Sequence, residues 1–237
     1  MVVAMIIDCI ADLHGFEPKL PGGDLLILAG DYTAADKLTQ WAKFFEWLKN
    51  QPYHKKILIA GNHDNFFDTG FPKNQKEADD LKDVIDFLDI DVDFEYLCDS
   101  GTEYEGIKIW GTPWTPWFHG VNPKCKAFMK SESHLEKKFS MIPEDLDILI
   151  THGPMLHILD QNIDGYACGS SSLRQHIDRA KPLFHVFGHI HEQGNNQIMY
   201  KHQGPNTWCV NCSYVNEKYK PVNQPIRITI SKQRLSF

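Results

Sequence analysis

The chain has 237 residues, 42% hydrophobic and 23% charged, with 16 glycines and 13 prolines, the balance of an ordinary globular protein and not of a disordered or collagenous one. Its formal charge of −7 with histidine neutral argues against a protein that grips long nucleic acid through a field of Lys and Arg. No apolar run approaches the ~18 residues that cross a bilayer, so no membrane partner is expected.

Residues 2–10 are apolar, yet they lack a basic leader and carry Asp8 in their middle. They read as a first buried strand and not as a secretory signal, and a cytoplasmic protein is expected. Strands follow at 25–29 and 57–60, each running into a polar, Gly-containing loop. Between them Leu38, Trp41, Ala42, Phe45 and Leu48 recur at helical spacing, which predicts an amphipathic helix. Leu81, Val84, Ile85 and Leu88 mark a second one. Further strands are expected at 107–110, 148–151, 183–187, 207–210 and 226–230, with a helix at 172–180. The stretches 66–76 and 113–126, rich in Gly, Pro, Asn and aromatic residues, read as long loops of the kind that carry function. Alternating strands and helices predict an α/β fold. With no linker, repeat or low-complexity tract, the simplest organisation is a single domain over 1–237. The six cysteines read as free thiols. Cys209 and Cys212 form a lone CxxC with no matching pair, so buried strand thiols are expected there and not a zinc site.

Five short segments concentrate the chemistry, and each lies just past a predicted strand. They are Asp12-Leu13-His14, Gly30-Asp31, Gly61-Asn62-His63-Asp64, Thr151-His152-Gly153 and Gly188-His189-Ile190-His191. Ligands of open α/β sheets bind beyond the carboxyl ends of the strands, so five such loops can converge on one point. Carboxylate oxygen and neutral imidazole nitrogen suit Mn, Fe and Zn, and a set without cysteine disfavours a closed structural zinc site. Gly30, Gly61 and Gly188 are expected to let the backbone turn sharply beside the ligands. The remaining histidines (His54, His119, His134, His157, His176, His185 and His202) are expected to be solvated or packed.

In order, D-x-H, G-D, G-N-H-D, H and G-H-x-H resemble the calcineurin-like metallophosphoesterase superfamily. The strings LILAGDYT, IAGNHDNFFD, IWGTPWTPWF, ILITHGP and PLFHVFGHIHE are similar to its metallophosphoesterase-domain-containing branch, which includes class III cyclic nucleotide phosphodiesterases. The resemblance implies an α/β sandwich of two mixed β-sheets flanked by helices. It implies two divalent or mixed-valence metal ions, manganese foremost, with Fe, Zn or Co as alternatives. Asp12, His14, Asp31 and His191 would hold one ion, and Asp31, Asn62, His152 and His189 the other, with Asp31 bridging. A hydroxide between the ions would attack phosphorus in line, and His63 would protonate the leaving group. Asp64 would orient His63 by accepting its other N–H, and Asn62 and His63 would contact substrate. Some animal members carry Gly at the first histidine of G-H-x-H, which weakens the second metal site. His189 is present here, so a complete dinuclear site with turnover is expected.

For substrate binding, Trp114 in the segment Pro113-Trp114-Thr115-Pro116-Trp117-Phe118 is assigned the stacking of a nucleobase; packing of these rings on the core is the alternative. The expected function is a dinuclear-metal-dependent phosphodiesterase acting on a small phosphodiester, cyclic nucleotides among the candidates. The alternatives are a phosphomonoesterase or nuclease on the same metal site, and a non-catalytic nucleotide-binding scaffold. No stable nucleic-acid binding is expected, and monomer and homodimer are both compatible with the sequence.

Overall fold

Val-, Ile- and Leu-rich runs build most of the strands in a computed structural model that describes residues 4–68, 93–118 and 125–231. In chain order the elements are β1 (Ala4–Ile10), β2 (Gly23–Ala29), α1 (Leu38–Lys49), β3 (Tyr53–Ile59), β4 (Glu95–Tyr96), β5 (Ser100–Tyr104) and β6 (Ile107–Thr112). There follow β7 (Thr115–Pro116), β8 (Met129–Lys130), α2 (Glu132–Phe139), β9 (Ile148–Thr151), α3 (Ser171–Ala180), β10 (Phe184–Phe187), β11 (Asn196–Tyr200), β12 (Thr207–Asn211) and β13 (Ile226–Ser231). The expected strands and the helices at 38–48 and 172–180 are present within a few residues of their predicted ends. The helix expected around Leu81–Leu88 lies outside the described residues, as does His119.

One sheet runs β13-β1-β2-β3-β4 and the other β11-β12-β10-β9-β6-β5. Both are mixed: parallel strands form their centres, and antiparallel partners β13, β11 and β5 close their edges. Ile7, Cys9, Leu25, Ile27, Ile57 and Ile59 of the first sheet meet Ile109, Ile148, Ile150, Val186 and Val210 of the second in a dry inter-sheet core. The alternate side chains Ile10, Leu26, Leu28 and Leu58 are covered by Trp41, Phe44, Phe45 and Leu48 of α1. Leu149, Phe187 and Cys209 are covered by Leu135 and Phe139 of α2 and by Leu173 and Ile177 of α3. Burial on both faces is why the central strands read as unbroken apolar runs. The architecture is the expected two-sheet sandwich flanked by helices.

Edge elements are where the sequence reading fell short. β11 (NQIMY) is mostly exposed, and β5 (SGTEY) is small or polar but for Tyr104, which packs on the core, so neither has an apolar run to announce it. In α2 only Leu135 and Phe139 are buried, too few for a helical period. Asp8, fully buried, is bridged by both ends of the Arg227 guanidinium at 2.8 Å and by the Tyr53 hydroxyl at 2.5 Å, so a charge in mid-strand is satisfied across the sheet. The cysteines are free thiols. Cys209 on β12 faces the helices and Cys212, just past its end, the inter-sheet core, so the two thiols of the CxxC point to opposite sides of the sheet. No helix among the described residues is long and apolar enough to cross a membrane.

The sheets touch where their carboxyl ends meet. Ala11, just past β1, donates to Cys212 O at 2.9 Å and accepts from Tyr214 N at 2.8 Å, past β12. This junction brings the loops after β1, β2, β3, β9 and β10 to one rim.

Candidate metal centre

The backbone at that rim is bent hard. Asp12, His14, Asp31 and His189 all lie at positive φ, 54°, 43°, 59° and 69°, a conformation costly for side chains with a Cβ and kept only where the surroundings over-determine it. Hydrogen bonds do so here: Asp12 N donates to Gly30 O at 2.9 Å, His14 N to Asp31 O at 3.1 Å and Gly188 N to His152 O at 2.9 Å. Gly30 is needed for its conformation, with φ 96° and no room for a Cβ, which would lie 2.7 Å from Gly61 N and His152 Nδ1. At Gly61 and Gly188 the need is space, because a Cβ would run into the carboxylates of Asp31 and Asp12.

All seven expected metal ligands come together. His14 Nε2 lies 3.2 Å from His191 Nε2, which lies 3.4 Å from Asp12 Oδ1. His152 Nε2 lies 3.0 Å from Asn62 Oδ1 and 3.4 Å from Asp31 Oδ1, and the His152 and His189 rings meet at 4.9 Å. Asp31 stands between the halves, its Oδ2 3.9 Å from His14 Nε2 and 3.8 Å from His63 Nε2. The ligand atoms of Asp12, His14 and His191, those of Asp31, His152 and His189, and those of His14, Asp31 and His63 fall within 4.8 Å of one another in three overlapping groups. The donor set fits two cations: Asp12 Oδ1 is buried without a hydrogen-bond partner, and the His14 and His191 ring nitrogens face each other at 3.2 Å. A divalent ion satisfies both conditions, and the O/N set accepts Mn, Fe, Zn or Co.

The electrostatics favour the same use. Burial opposes ionising Asp12, but His191 beside it, its Nε2 3.4 Å from Asp12 Oδ1, outweighs that and holds its pKa down at about 2. Asp31 is likewise held well below the usual carboxylate range by His152 and His63 against the cost of burial. Burial pushes His14 and His189 down, so both are neutral with lone pairs free. His152 is also penalised by burial, yet Asp31 beside it raises it to about 9. Its proton is one that a bound cation displaces. His152 Nδ1 is fixed on Ala29 O at 2.8 Å, which turns Nε2 to the site.

Two assignments need correction. Asp64 does not reach His63: its Oδ2 accepts from Asp31 N and Gly61 N, both at 2.7 Å, and its Oδ1 from Tyr32 N at 3.0 Å. Asp64 turns inward at the end of β3 and ties the β2 and β3 loops together, while His63 turns outward, its Nδ1 3.1 Å from Cys125 Sγ. Trp114 is also not at the cleft. It is buried against Phe128, with Nε1 on both Asp99 oxygens at 2.9 Å and Lys138 over its ring. The same segment instead presents Trp117 and Phe118, 51% and 39% exposed, to a cleft of about 650 Å³ over the metal ligands. Trp114→Ala is therefore expected to cost about 3–5 kcal/mol of stability with KM little changed, and Trp117→Ala to raise KM with stability intact. Chemical unfolding and steady-state kinetics separate the two, and the reverse pattern would restore Trp114 to the cleft.

Tyr219 went unread in the sequence. Held at φ 54° by a tight turn around Asn216, whose Oδ1 accepts from Lys218 N and Lys220 N at 3.0 Å, it sets its ring nearly perpendicular to those of His14 and His191, at 4.8 and 5.1 Å. The asparagine-centred turn was the available signal.

Comparison with known proteins agrees with this geometry. Residues 5–193 match the family model of calcineurin-like phosphoesterases. The human and mouse proteins named metallophosphoesterase domain-containing protein 1 are each 36% identical over 249 residues, covering 96% of this chain and 72% of theirs. The Caenorhabditis elegans UPF0046 protein C25E10.12 is 34% identical over 200 residues, covering 78% of this chain and 68% of its own. Among solved structures, TT1561 of Thermus thermophilus aligns with a TM-score of 0.56 at 16% identity over 90% of this chain and 92% of that one, a likeness of fold alone.

Proposed function

The chain belongs to the calcineurin-like phosphoesterase family, and from that premise we propose that it is a metal-dependent phosphodiesterase, working with manganese, on small diesters that carry a flat organic group such as a nucleobase. The lining of the cleft carries this reading. Among its described residues there is no Lys or Arg, whereas Asp164, Glu192 and Glu217 stand on its walls. A monoester dianion leaves an extra charged oxygen facing these carboxylates, while a diester is a monoanion whose second arm is organic. Like charge at close range disfavours the former.

Asp12, His14, Asp31 and His191 would hold one ion and Asp31, Asn62, His152 and His189 a second, and such ions would supply positive charge for the phosphoryl oxygens and for activating water. The chain's own groups do the rest. His63, its side chain 11% exposed with Nε2 toward Asp31, is placed to hand a proton to the departing oxygen. Asn62 has its amide fixed by donation to Cys125 O at 3.2 Å, which keeps Oδ1 on the site. Phe118, its ring centroid 5.7 Å from that of His189, and Trp117 form a half-exposed aromatic wall, and Lys126, which does not line the cleft, lies over both rings. Stacking of a base on such a wall is worth ~1–3 kcal/mol.

The test is a panel assayed after Mn²⁺ reconstitution: bis(p-nitrophenyl) phosphate, p-nitrophenyl phosphate, and 2′,3′- and 3′,5′-cyclic nucleotides. Diesters are expected to exceed the monoester in kcat/KM by about tenfold or more, a difference of ~1.4 kcal/mol in barrier. Preference for the monoester would overturn the diesterase reading and leave a phosphomonoesterase.

A further inference from the structure

We propose that Cys125 positions His63 for proton delivery, the role that the sequence reading gave to Asp64. The inference rests on His63 acting as the acid of the reaction proposed above. The Cys125 thiol is buried, with Sγ 3.1 Å from His63 Nδ1. The same residue accepts from Asn62 Nδ2 at 3.2 Å through its carbonyl, and Ala127 N donates to Asn62 O at 3.2 Å. Three contacts from residues 125–127 therefore grip the Asn62-His63 pair. The opposite edge of the His63 ring meets His14 nearly perpendicularly at 4.6 Å, so the imidazole is fixed in rotation as well as in place.

Which nitrogen of an imidazole works is decided by what the other one bonds. In the imidazolium that acts as the acid both nitrogens are donors, so with Nδ1–H directed to sulfur the proton to be delivered is the one on Nε2, on the side of Asp31 Oδ2. Delivery moves that proton from Nε2 to the leaving oxygen and leaves a neutral ring with Nδ1–H still on Sγ. Sulfur is a weak acceptor. Its part is to hold the ring in place with Nε2 turned to the site.

The experiment compares Cys125→Ala, Cys125→Ser and His63→Ala in the full-length, manganese-loaded protein. One substrate is bis(p-nitrophenyl) phosphate, with a good leaving group; the other is a 2′,3′-cyclic nucleotide, whose leaving group is a ribose hydroxyl. Cys125→Ala is expected to lower kcat on the cyclic nucleotide about tenfold, part of the ~10²–10⁴-fold a general acid contributes. KM should stay unchanged, the aryl ester should be hardly affected, and Cys125→Ser, whose hydroxyl also accepts from Nδ1–H, should recover most of the loss.

Independently of turnover, the ¹⁵N resonance of His63 Nδ1 in the diamagnetic zinc-loaded protein should move in Cys125→Ala and, by a smaller step, in Cys125→Ser. An unmoved resonance overturns the proposal even if only the Ser variant folds, and so does an equal loss of rate on both esters accompanied by lost metal, which would make Cys125 a brace for Asn62 alone. If His63→Ala loses equally on both substrates, it is the acid reading that fails, while the ring resonance still judges the contact.

Discussion

Asp31→Asn is expected to leave the protein folded, to lower bound metal from two ions per chain to one or none, and to cut hydrolysis by about 10³-fold or more. The several kcal/mol that metal ions contribute to a phosphoryl transition state sets that scale. On the proposed reading Asp31 would be the shared ligand: its oxygens lie 3.4 Å from His152 Nε2 on one side and 3.9 Å from His14 Nε2 on the other, and it groups both with His152 and His189 and with His14 and His63. Asparagine keeps the shape and tolerates the left-handed backbone at φ 59°, and its side-chain oxygen can still accept from His63 N, now 2.9 Å from Asp31 Oδ1. What it removes is the negative charge that two cations need between them. In the metal-free protein the same change takes one carboxylate out of a buried set that also contains Asp12 and Asp64. It also takes from His152 and His63 the carboxylate that they hold well below its usual range and that raises His152 in turn, so the thermal midpoint without metal should fall; the increment gained on adding Mn²⁺ should shrink as well, since a ligand that binds only the folded state stabilises in proportion to its affinity. Elemental analysis and unfolding with and without metal read both effects. Two tightly held ions with full activity would remove Asp31 from the bridging position.

The ligands were legible because a metal site demands residue types that strand ends seldom supply by chance, and because strands buried on both faces announce themselves as apolar runs whose ends can be found. Roles that depend on side-chain direction were not legible. Asp64 follows His63 directly, and adjacency suggested a partnership, but the turn after β3 sends the two side chains opposite ways. Trp114 and Trp117 are equally aromatic in the sequence; β7 sets one on the core and the other at the cleft. Cys125 and Tyr219 reach the site from irregular loops, where no periodicity says which side chain points inward, and Tyr219 lies beyond the matched family region, residues 5–193. The wall of the cleft, which bears on substrate choice, is thus the part least written in local pattern, and the metal cradle the part most written there.

Asp64→Ala should act on the fold first and on the chemistry only as a consequence. The Asp64 carboxylate is wholly buried and takes three backbone N–H groups, from Gly61, Asp31 and Tyr32. It thereby pins the exit of β2 to the exit of β3, with the candidate ligands Asp31 and Asn62 on either side. Alanine would strand these donors away from water at ~1–3 kcal/mol each, a total of about 3–9 kcal/mol. At ~2–4 °C per kcal/mol for a chain of this size, the midpoint should fall by about 10 °C or more. Asparagine should rescue little, because its amide turns an N–H toward donors that need an acceptor on both sides. Metal affinity should fall ~10–100-fold, as is usual when a group that holds ligands in place is lost. The decisive comparison is between leaving groups. If Asp64 oriented the acid, its loss would slow cyclic nucleotides far more than activated aryl esters; because it holds backbone, both should slow by the same factor once metal is saturating. A leaving-group-dependent loss would return Asp64 to the side of His63, against the direction in which its hydrogen bonds point.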